Sequence, residues 1–489
     1  MITARPGVWL AAWLALIAGA RLVLALTHDT FLGIDGGAYL LGAFQYIGGP
    51  EQSGFLRPPL APGYILGAFV QLWGVTPFAY NLYAALFSLP LFPAFYLLAR
   101  RVVGAKWGAL ATVFLTLDWE QWVLFVTGVV PVLGFAGICI ALWAMVSLSE
   151  ERHEGRAKAA LILSLPLIAL SNQTSAGLAL ISLPLAWLML PNKRSVAVWL
   201  GLGGLMAVAV AWPWYLHVLP GSAKVAYPGA LFYLPPVYES VWYQATLVMA
   251  ITGIGWKLGA FSTPALRAIA AVTVGHTLVS LVWSNDEAVM NILFRSNIWA
   301  LVPFWIVLAA TVQRVLPLLQ KRLVLAVGVS YAVLAVGGVL YVYPNQFRYS
   351  EHLSAEVMDA VASVDPSTVT RWGTNGESRA YWLTAVTGKP AVWVQSAPPQ
   401  PAYAEQRRLA ECELGWQDGC TPTGYVSHWI IDSTKRQGVT ALVPNAPNPA
   451  NPWVDIGEAA PWLENKREIG NVSLWLNRHY QAGLTAMGK

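Results

Sequence analysis

The chain has 489 residues, of which 56% are hydrophobic and only 11% charged, with a mean hydropathy of +0.52. Soluble domains carry roughly 25% charged residues, so this composition excludes a water-soluble enzyme, and 24 Trp, 19 Tyr and 16 Phe exclude disorder. The net charge of +5 is unevenly spread: residues 1–343 hold 18 Lys and Arg against 11 Asp and Glu, and residues 344–489 hold 12 against 14.

The first 343 residues therefore read as a membrane domain. A helix needs about 20 apolar residues to cross hydrocarbon. Spans are expected at 7–27, 78–99, 107–126, 130–148, 158–171, 177–191, 196–215, 241–256, 265–283, 297–313 and 323–343, about 11 in all, with the pair between 158 and 191 short. No small-residue cleavage site precedes His28-Asp29, so the first span is expected to stay in place. Residues 28–77 form the first external loop. Within it, 58–76 is apolar but opened by Pro58, Pro59 and Pro62, and reads as a helix lying on or dipping into the outer face. Residues 216–240, rich in Pro, Gly and Tyr, form a second external loop.

Residues 344–489 alternate short β-like runs with turn signals. Strands are expected at 392–394, 441–443 and 472–476, helices at 351–364 and 400–414, and Pro-rich loops at 397–402 and 444–452. The expected fold is a polytopic α-helical membrane protein with a C-terminal extracytoplasmic α/β domain. Nucleic acid is excluded as a partner, because this domain has no basic stripe or aromatic-basic platform.

Charge sets the orientation. With the N-terminus cytoplasmic, one face receives fourteen Lys and Arg and the opposite face only Arg57, Lys224 and Arg295. An odd number of spans then puts the C-terminal domain outside the plasma membrane. There Cys412 and Cys420 stand in an oxidising compartment, either as a disulfide or as a free pair. Cys139 lies in a span. The seven His do not cluster at zinc spacing, and no Gly-Lys-Ser/Thr occurs, so nucleotide hydrolysis is not expected.

The first external loop carries the most chemistry. Ile34-Asp35-Gly36-Gly37-Ala38-Tyr39 is followed by Arg57-Pro58-Pro59-Leu60. If a helix starts after Asp35, its carboxylate sits at the helix N-terminus with Tyr39 one turn on. The plain alternative is an N-cap acid beside a packed Tyr.

An Asp with Tyr four residues later and a basic residue before Pro-Pro-Leu, directly after the first span, resembles the GT-C membrane glycosyltransferases. The likeness is greatest to the protein O-mannosyltransferase and aminoarabinose-transferase branch. It implies an enzyme that takes a sugar from a polyprenyl-phosphate donor, among membrane lipids, and passes it to a protein, lipid or glycan hydroxyl on the extracytoplasmic face. Asp35 matches the family's catalytic acid and Arg57 its basic residue before Pro-Pro. Gly36 departs from the Glu that often follows the Asp.

Displacing a polyprenyl phosphate from an anomeric carbon calls for a base, here Asp35, and for cations on the leaving phosphate. Arg57 suits the phosphate as a bidentate donor, with a lipid headgroup contact as its other reading. Tyr39 and Arg295, at the start of a late span, complete the substrate-binding set. Asp118-Trp119-Glu120 resembles the second acidic motif of oligosaccharyltransferases. With Asp35, Asp118 and Glu120 could offer three carboxylates to a divalent cation, Mg or Mn; solvated acids ending a helix are the other reading. The rival function is a lipid or small-solute transporter or flippase. Transporters tend to carry ionisable groups at mid-membrane, whereas here only Arg21 and His276 lie deep.

Overall fold

The computed structural model describes residues 6–28, 30–31, 36–49, 59–118, 132–222, 239–282, 302–318, a few helical positions between 328 and 337, 353–375, 377–394, 404–414, 419–432 and 460–480. It forms two compact units. One holds Met1–Thr27, Pro58–Ala61 and Leu82–Phe347; the other holds His28–Arg57, Pro62–Asn81 and Arg348–Lys489. The division is not a single cut near residue 343, because most of the first external loop groups with the C-terminal domain.

In chain order the helices begin with α1 (Pro6–Thr27), α2 (Gly36–Ile47), a π-helical turn Pro59–Ile65 leading into α3 (Leu66–Trp73), α4 (Pro77–Phe87), α5 (Leu91–Val103) and α6 (Ala105–Leu117). There follow α7 (Val132–Ser149), α8 (Glu154–Ser171), α9 (Gln173–Met189), α10 (Lys193–Ser222), α11 (Glu239–Lys257), α12 (Pro264–Val282) and α13 (Val302–Leu318). Among the described residues, four apolar stretches have the length to cross a membrane: Pro6–Thr27, Pro77–Val103, Val132–Ser149 and Lys193–Leu216. Ala105–Leu117, Ser175–Met189 and Val302–Leu318 are shorter apolar helices. The expected span at 78–99 is two helices, α4 and α5, interrupted at Ser88–Pro90 where proline opens the second. Most of 323–343 and the outer part of 107–126 lie outside the described residues.

Lipid tails are as apolar as leucine, so helices in a bilayer associate through close packing at small residues. Gly108 of α6 lies against α5, where an added Cβ would come 2.6 Å from the Arg100 backbone nitrogen. On α7, a Cβ at Gly134 would meet the Ser175 hydroxyl at 2.0 Å. α1 buries only a stripe of Leu10, Ile17, Arg21 and Ala25 and leaves Leu16 and Val23 exposed, as suits a helix with a lipid-facing side. Arg101–Glu150 and Lys158–Glu154 form ion pairs at the turns flanking α7 and α8.

In the second unit α14 (Ala355–Ala362), β1 (Trp372–Thr374), α15 (Glu377–Thr387), β2 (Ala391–Trp393), α16 (Ala404–Glu413), β3 (His428–Asp432), β4 (Leu463–Ile469) and β5 (Val472–Asn477) build a five-stranded sheet of order β2-β1-β3-β5-β4. β1 runs parallel to β2 and β3, which α15 and α16 connect; β5 is antiparallel to β3 and β4. Val392, Val394, Leu414, Val426, Trp429, Ile431 and Leu463 form a core. The sequence anticipates β2, β5, α14 and α16, while the expected strand at 441–443 lies outside the described residues. β1, β3, β4 and α15 are additions. A disulfide joins Cys412 to Cys420, with 5.9 Å between their Cα atoms.

Candidate functional site

In the second unit, α2 begins at Gly36, directly after Asp35 in the chain. Its first two residues lie against α15 with no room for a side chain at either. A Cβ at Gly37 would stand 2.5 Å from the Trp382 backbone nitrogen and 2.8 Å from the Tyr381 carbonyl carbon. One at Gly36 would stand 2.2 Å from the Trp382 ring and 2.7 Å from that of Tyr80. Glycine is the residue that permits such backbone approach. Trp382 is 0% exposed; its ring lies 5.2 Å from Tyr80, edge-on, and 4.5 Å from Phe31. Upstream, the buried Asn81 amide donates to the carbonyls of Thr30 at 2.9 Å and His28 at 3.3 Å. The stretch that contains Asp35 is thus bracketed by two tied segments. Tyr39, one turn into α2, is 2% exposed.

α15 is fixed to the sheet in turn. The buried Arg379 guanidinium donates to Asp432 at 2.7 Å and to Asn375 at 2.9 Å, and the Asn375 amide donates to the Asp432 carbonyl at 2.8 Å. Burial lowers the Arg379 pKa while Asp432 opposes the shift. These groups sit at the C-terminal ends of β1 and β3, on either side of which the chain order reverses, the customary place for polar groups in such a sheet. At the opposite end of β3, burial pushes the His428 imidazole down to about 4. Its Nδ1 lies 3.1 Å from the Ser427 hydroxyl.

The first unit buries polar groups of its own. Arg21 is enclosed on α1 with its guanidinium 4.9 Å above the Phe92 ring, a cation–π arrangement. His276 of α12 meets the Ser182 hydroxyl of α9 and lines a crevice with Phe95, Cys139 and Pro303. Asp118 follows α6, and it is buried rather than solvated, its Oδ2 accepting from the Trp305 indole at 3.4 Å. Ser171, at the end of α8, and Ser175, in the first turn of α9, are also buried.

Of the residues singled out from sequence, Asp35, Arg57, Glu120 and Arg295 lie outside the described residues. Tyr39, Asp118, Cys412 and Cys420 lie within them. Among the described residues no three His, Cys, Asp or Glu converge as a metal site. Asp118 accepts from the Trp305 indole, and its two expected partners, Asp35 and Glu120, lie outside the described residues, so no step is derived through a cation. Sequence reasoning missed Trp382, Asn81 and Arg379. The Gly36-Gly37 pair was the one local signal of close packing, and it does not say against what.

No family model matches the chain, and no curated protein matches it in sequence. Solved structures do share its fold. ArnT from Cupriavidus metallidurans, bound to undecaprenyl phosphate, aligns with a TM-score of 0.59 at 15% identity, covering 95% of this chain and 98% of that one. The mycobacterial arabinofuranosyltransferase AftD gives 0.58 at 16% identity over 96% of this chain and 42% of its own. The apo oligosaccharyltransferase of Archaeoglobus fulgidus gives 0.55 at 11% identity, covering 88% and 70%. With its apolar helices and C-terminal sheet domain, the chain shares the fold of these solved structures.

Proposed function

We propose that this chain transfers a sugar from a polyprenyl-phosphate donor to a hydroxyl-bearing protein, lipid or glycan acceptor on the extracytoplasmic face of the plasma membrane. The observation that carries the reading is end-to-end likeness of fold to ArnT, an enzyme captured with undecaprenyl phosphate. The Asp35 and Arg57 motifs lie in the loop that the GT-C resemblance marks as the active site.

In the proposed reaction Asp35 takes the proton of the acceptor hydroxyl as its oxygen attacks the anomeric carbon. The new C–O bond forms as the bond to the phosphate oxygen breaks, and the polyprenyl phosphate leaves with the electron pair. Arg57 and Arg295 meet the charge that grows on that phosphate, Arg57 through its planar pair of donors. Tyr39 completes the sugar pocket. A single displacement of this kind inverts the anomeric centre.

Binding of undecaprenyl phosphate to the purified protein tests the donor side. The reading expects saturable binding that Arg57→Ala weakens about tenfold or more, the loss of a charge-assisted phosphate contact. Donor-lipid affinity unchanged in Arg57→Ala would remove Arg57 from the phosphate. Absence of any saturable binding by the wild type would count against the lipid-linked donor itself.

A further inference from the structure

We infer that the turns joining α7 to α8 and α9 to α10 form a binding site for the phosphate headgroups of anionic lipids, with Arg156, Lys193 and Arg194 as its cations. The site lies wholly within the first unit. With the orientation expected from charge it faces the inner leaflet, so it stands apart from the proposed reaction.

The two turns make one surface. Glu151 in the first accepts from the Asn192 amide in the second at 3.2 Å. Lys158 of α8 sits 5.4 Å over the Trp199 ring of α10. Gly203 of α10 packs so closely on α8 that an added Cβ would stand 3.0 Å from the Leu161 carbonyl oxygen. The Trp187 indole donates to the Lys193 carbonyl at 2.9 Å and closes the second turn. Glu151, His153 and Asn192, with φ of 56°, 53° and 40°, are the left-handed non-glycine positions among the described residues, and all three fall in these turns. Such a backbone persists where the surrounding contacts fix it.

Charge on this surface does not balance. Glu150 pairs with Arg101, Glu154 pairs with Lys158 at 2.9 Å, and Glu151 is held by Asn192. The three carboxylates of the turns are thus taken within the protein. Arg156, Lys193 and Arg194 are exposed, and their side chains make no hydrogen bond or ion pair among the described residues. What is left over is positive and fits an anion.

The apolar surface beside the cations identifies that anion as a lipid's. Val198, Leu202 and Leu205 follow Arg194 by four, eight and eleven residues, which places them on its face of α10. All three are exposed, and they belong to a stretch, Lys193–Leu216, long and apolar enough to cross a membrane. On α8, the exposed Leu163 lies two turns along from Arg156 on the same face. Each of these arginines therefore heads a strip of lipid-compatible surface, as a headgroup phosphate heads its own acyl chains. An acidic soluble protein would match the charge and leave the strip uncovered.

The test uses the full-length protein in phosphatidylcholine nanodiscs. Cys139 is buried and Cys412 is joined to Cys420, so Val198→Cys supplies one accessible thiol for an NBD fluorophore. Doxyl-labelled phosphatidylglycerol and doxyl-labelled phosphatidylcholine are then compared as quenchers at equal mole fraction. At low salt the anionic lipid should quench as though enriched about tenfold or more, and the preference should shrink as added salt screens the charges. Arg194→Gln alone should cut the enrichment about fivefold, and replacing all three cations by Gln should bring the two quenchers to parity. Arg156→Lys with Arg194→Lys should keep the preference, because a phosphate accepts either cation. A label at Leu180→Cys, in the middle of α9, should report no preference. Parity in the wild type, a preference that survives Arg194→Gln and the triple variant, or equal preference at Leu180→Cys would overturn the site. So would release of the lipid by inorganic phosphate far beyond that by chloride at equal ionic strength, which would assign the cations to a soluble phosphate compound.

Discussion

Glu413 brings a carboxylate into the interior of the second unit and satisfies it there. Its Oε1 accepts from the backbone nitrogens of Thr423 at 2.8 Å and Tyr425 at 2.9 Å and from the Thr423 hydroxyl at 3.2 Å, and its Oε2 accepts from the Asn477 amide. Removing it leaves several buried donors unmet, each of which costs about 1–3 kcal/mol. Glu413→Ala is therefore expected to destabilise the unit by roughly 3 kcal/mol or more, and Glu413→Gln by less, in chemical-denaturation curves read by tryptophan emission. A loss below about 0.5 kcal/mol for Glu413→Ala would mean the network is not stabilising. Ser427 and His428 superficially resemble a nucleophilic pair. However, the Ser427 hydroxyl donates to the Arg371 carbonyl at 2.9 Å and accepts from the Thr370 and Arg371 nitrogens, which makes it a tie between strands. His428 has a pH signature of its own. Its folded pKa of about 4 lies below the ordinary 6.5, so between those values the unfolded chain takes up a proton that the folded chain refuses. Stability is accordingly full above pH 6.5 and declines as pH falls toward 4. Melting temperatures across that window should drop less steeply in His428→Phe; equal slopes would remove His428 as a contributor.

At the scale of elements, the disulfide and Glu413 close the same connection between α16 and β3. Cross-linking a loop of eight or so residues removes about 2.5 kcal/mol of unfolded-state entropy in the chain-entropy model, so a reductant or Cys412→Ser should lower the melting temperature by several degrees. Because Glu413 and Cys412 are adjacent and anchor one loop, the double variant should be less destabilised than the sum of the singles. Simple additivity would show two independent anchors. What the sequence made legible follows element type. Long apolar runs mark the helices of the first unit, because hydrophobic length alone identifies them. α2 starts directly after Asp35 in the chain, a start that the residues of that loop left conditional. The break between α4 and α5 was signalled by Pro90 but hidden by continuous hydropathy. The three-residue β1 is too short to display alternation, and β4 reads as a charged surface segment. Glu464, Lys466, Arg467 and Glu468 suit an edge strand, and only its pairing to β5 reveals it. α15 had no mark of its own. Its importance comes from what packs on it, and two glycines cannot name their neighbour.

For the molecule as a whole, the asymmetry of charge between loops gives an orientation that can be measured directly. With the N-terminus cytoplasmic and the second unit outside, a cysteine placed at the exposed Glu405 should react with a membrane-impermeant maleimide in intact cells. One placed at Glu154 should react only after permeabilisation. The reverse pattern would invert the topology and place Asp35 on the wrong side for an extracytoplasmic reaction. Residues 28–57 and 62–81 group with the C-terminal domain. The fold is shared with an arabinofuranosyltransferase and an oligosaccharyltransferase alike, so sugar and acceptor are matters for experiment. The most direct measurement is transfer of label from a panel of radiolabelled polyprenyl-phosphate sugars to a crude envelope acceptor, with wild type and Asp35→Asn compared side by side. The account predicts transfer by the wild type from at least one donor and none above background by Asp35→Asn, with undecaprenyl-phosphate binding retained. Transfer by both at equal rates, or by neither, would contradict it.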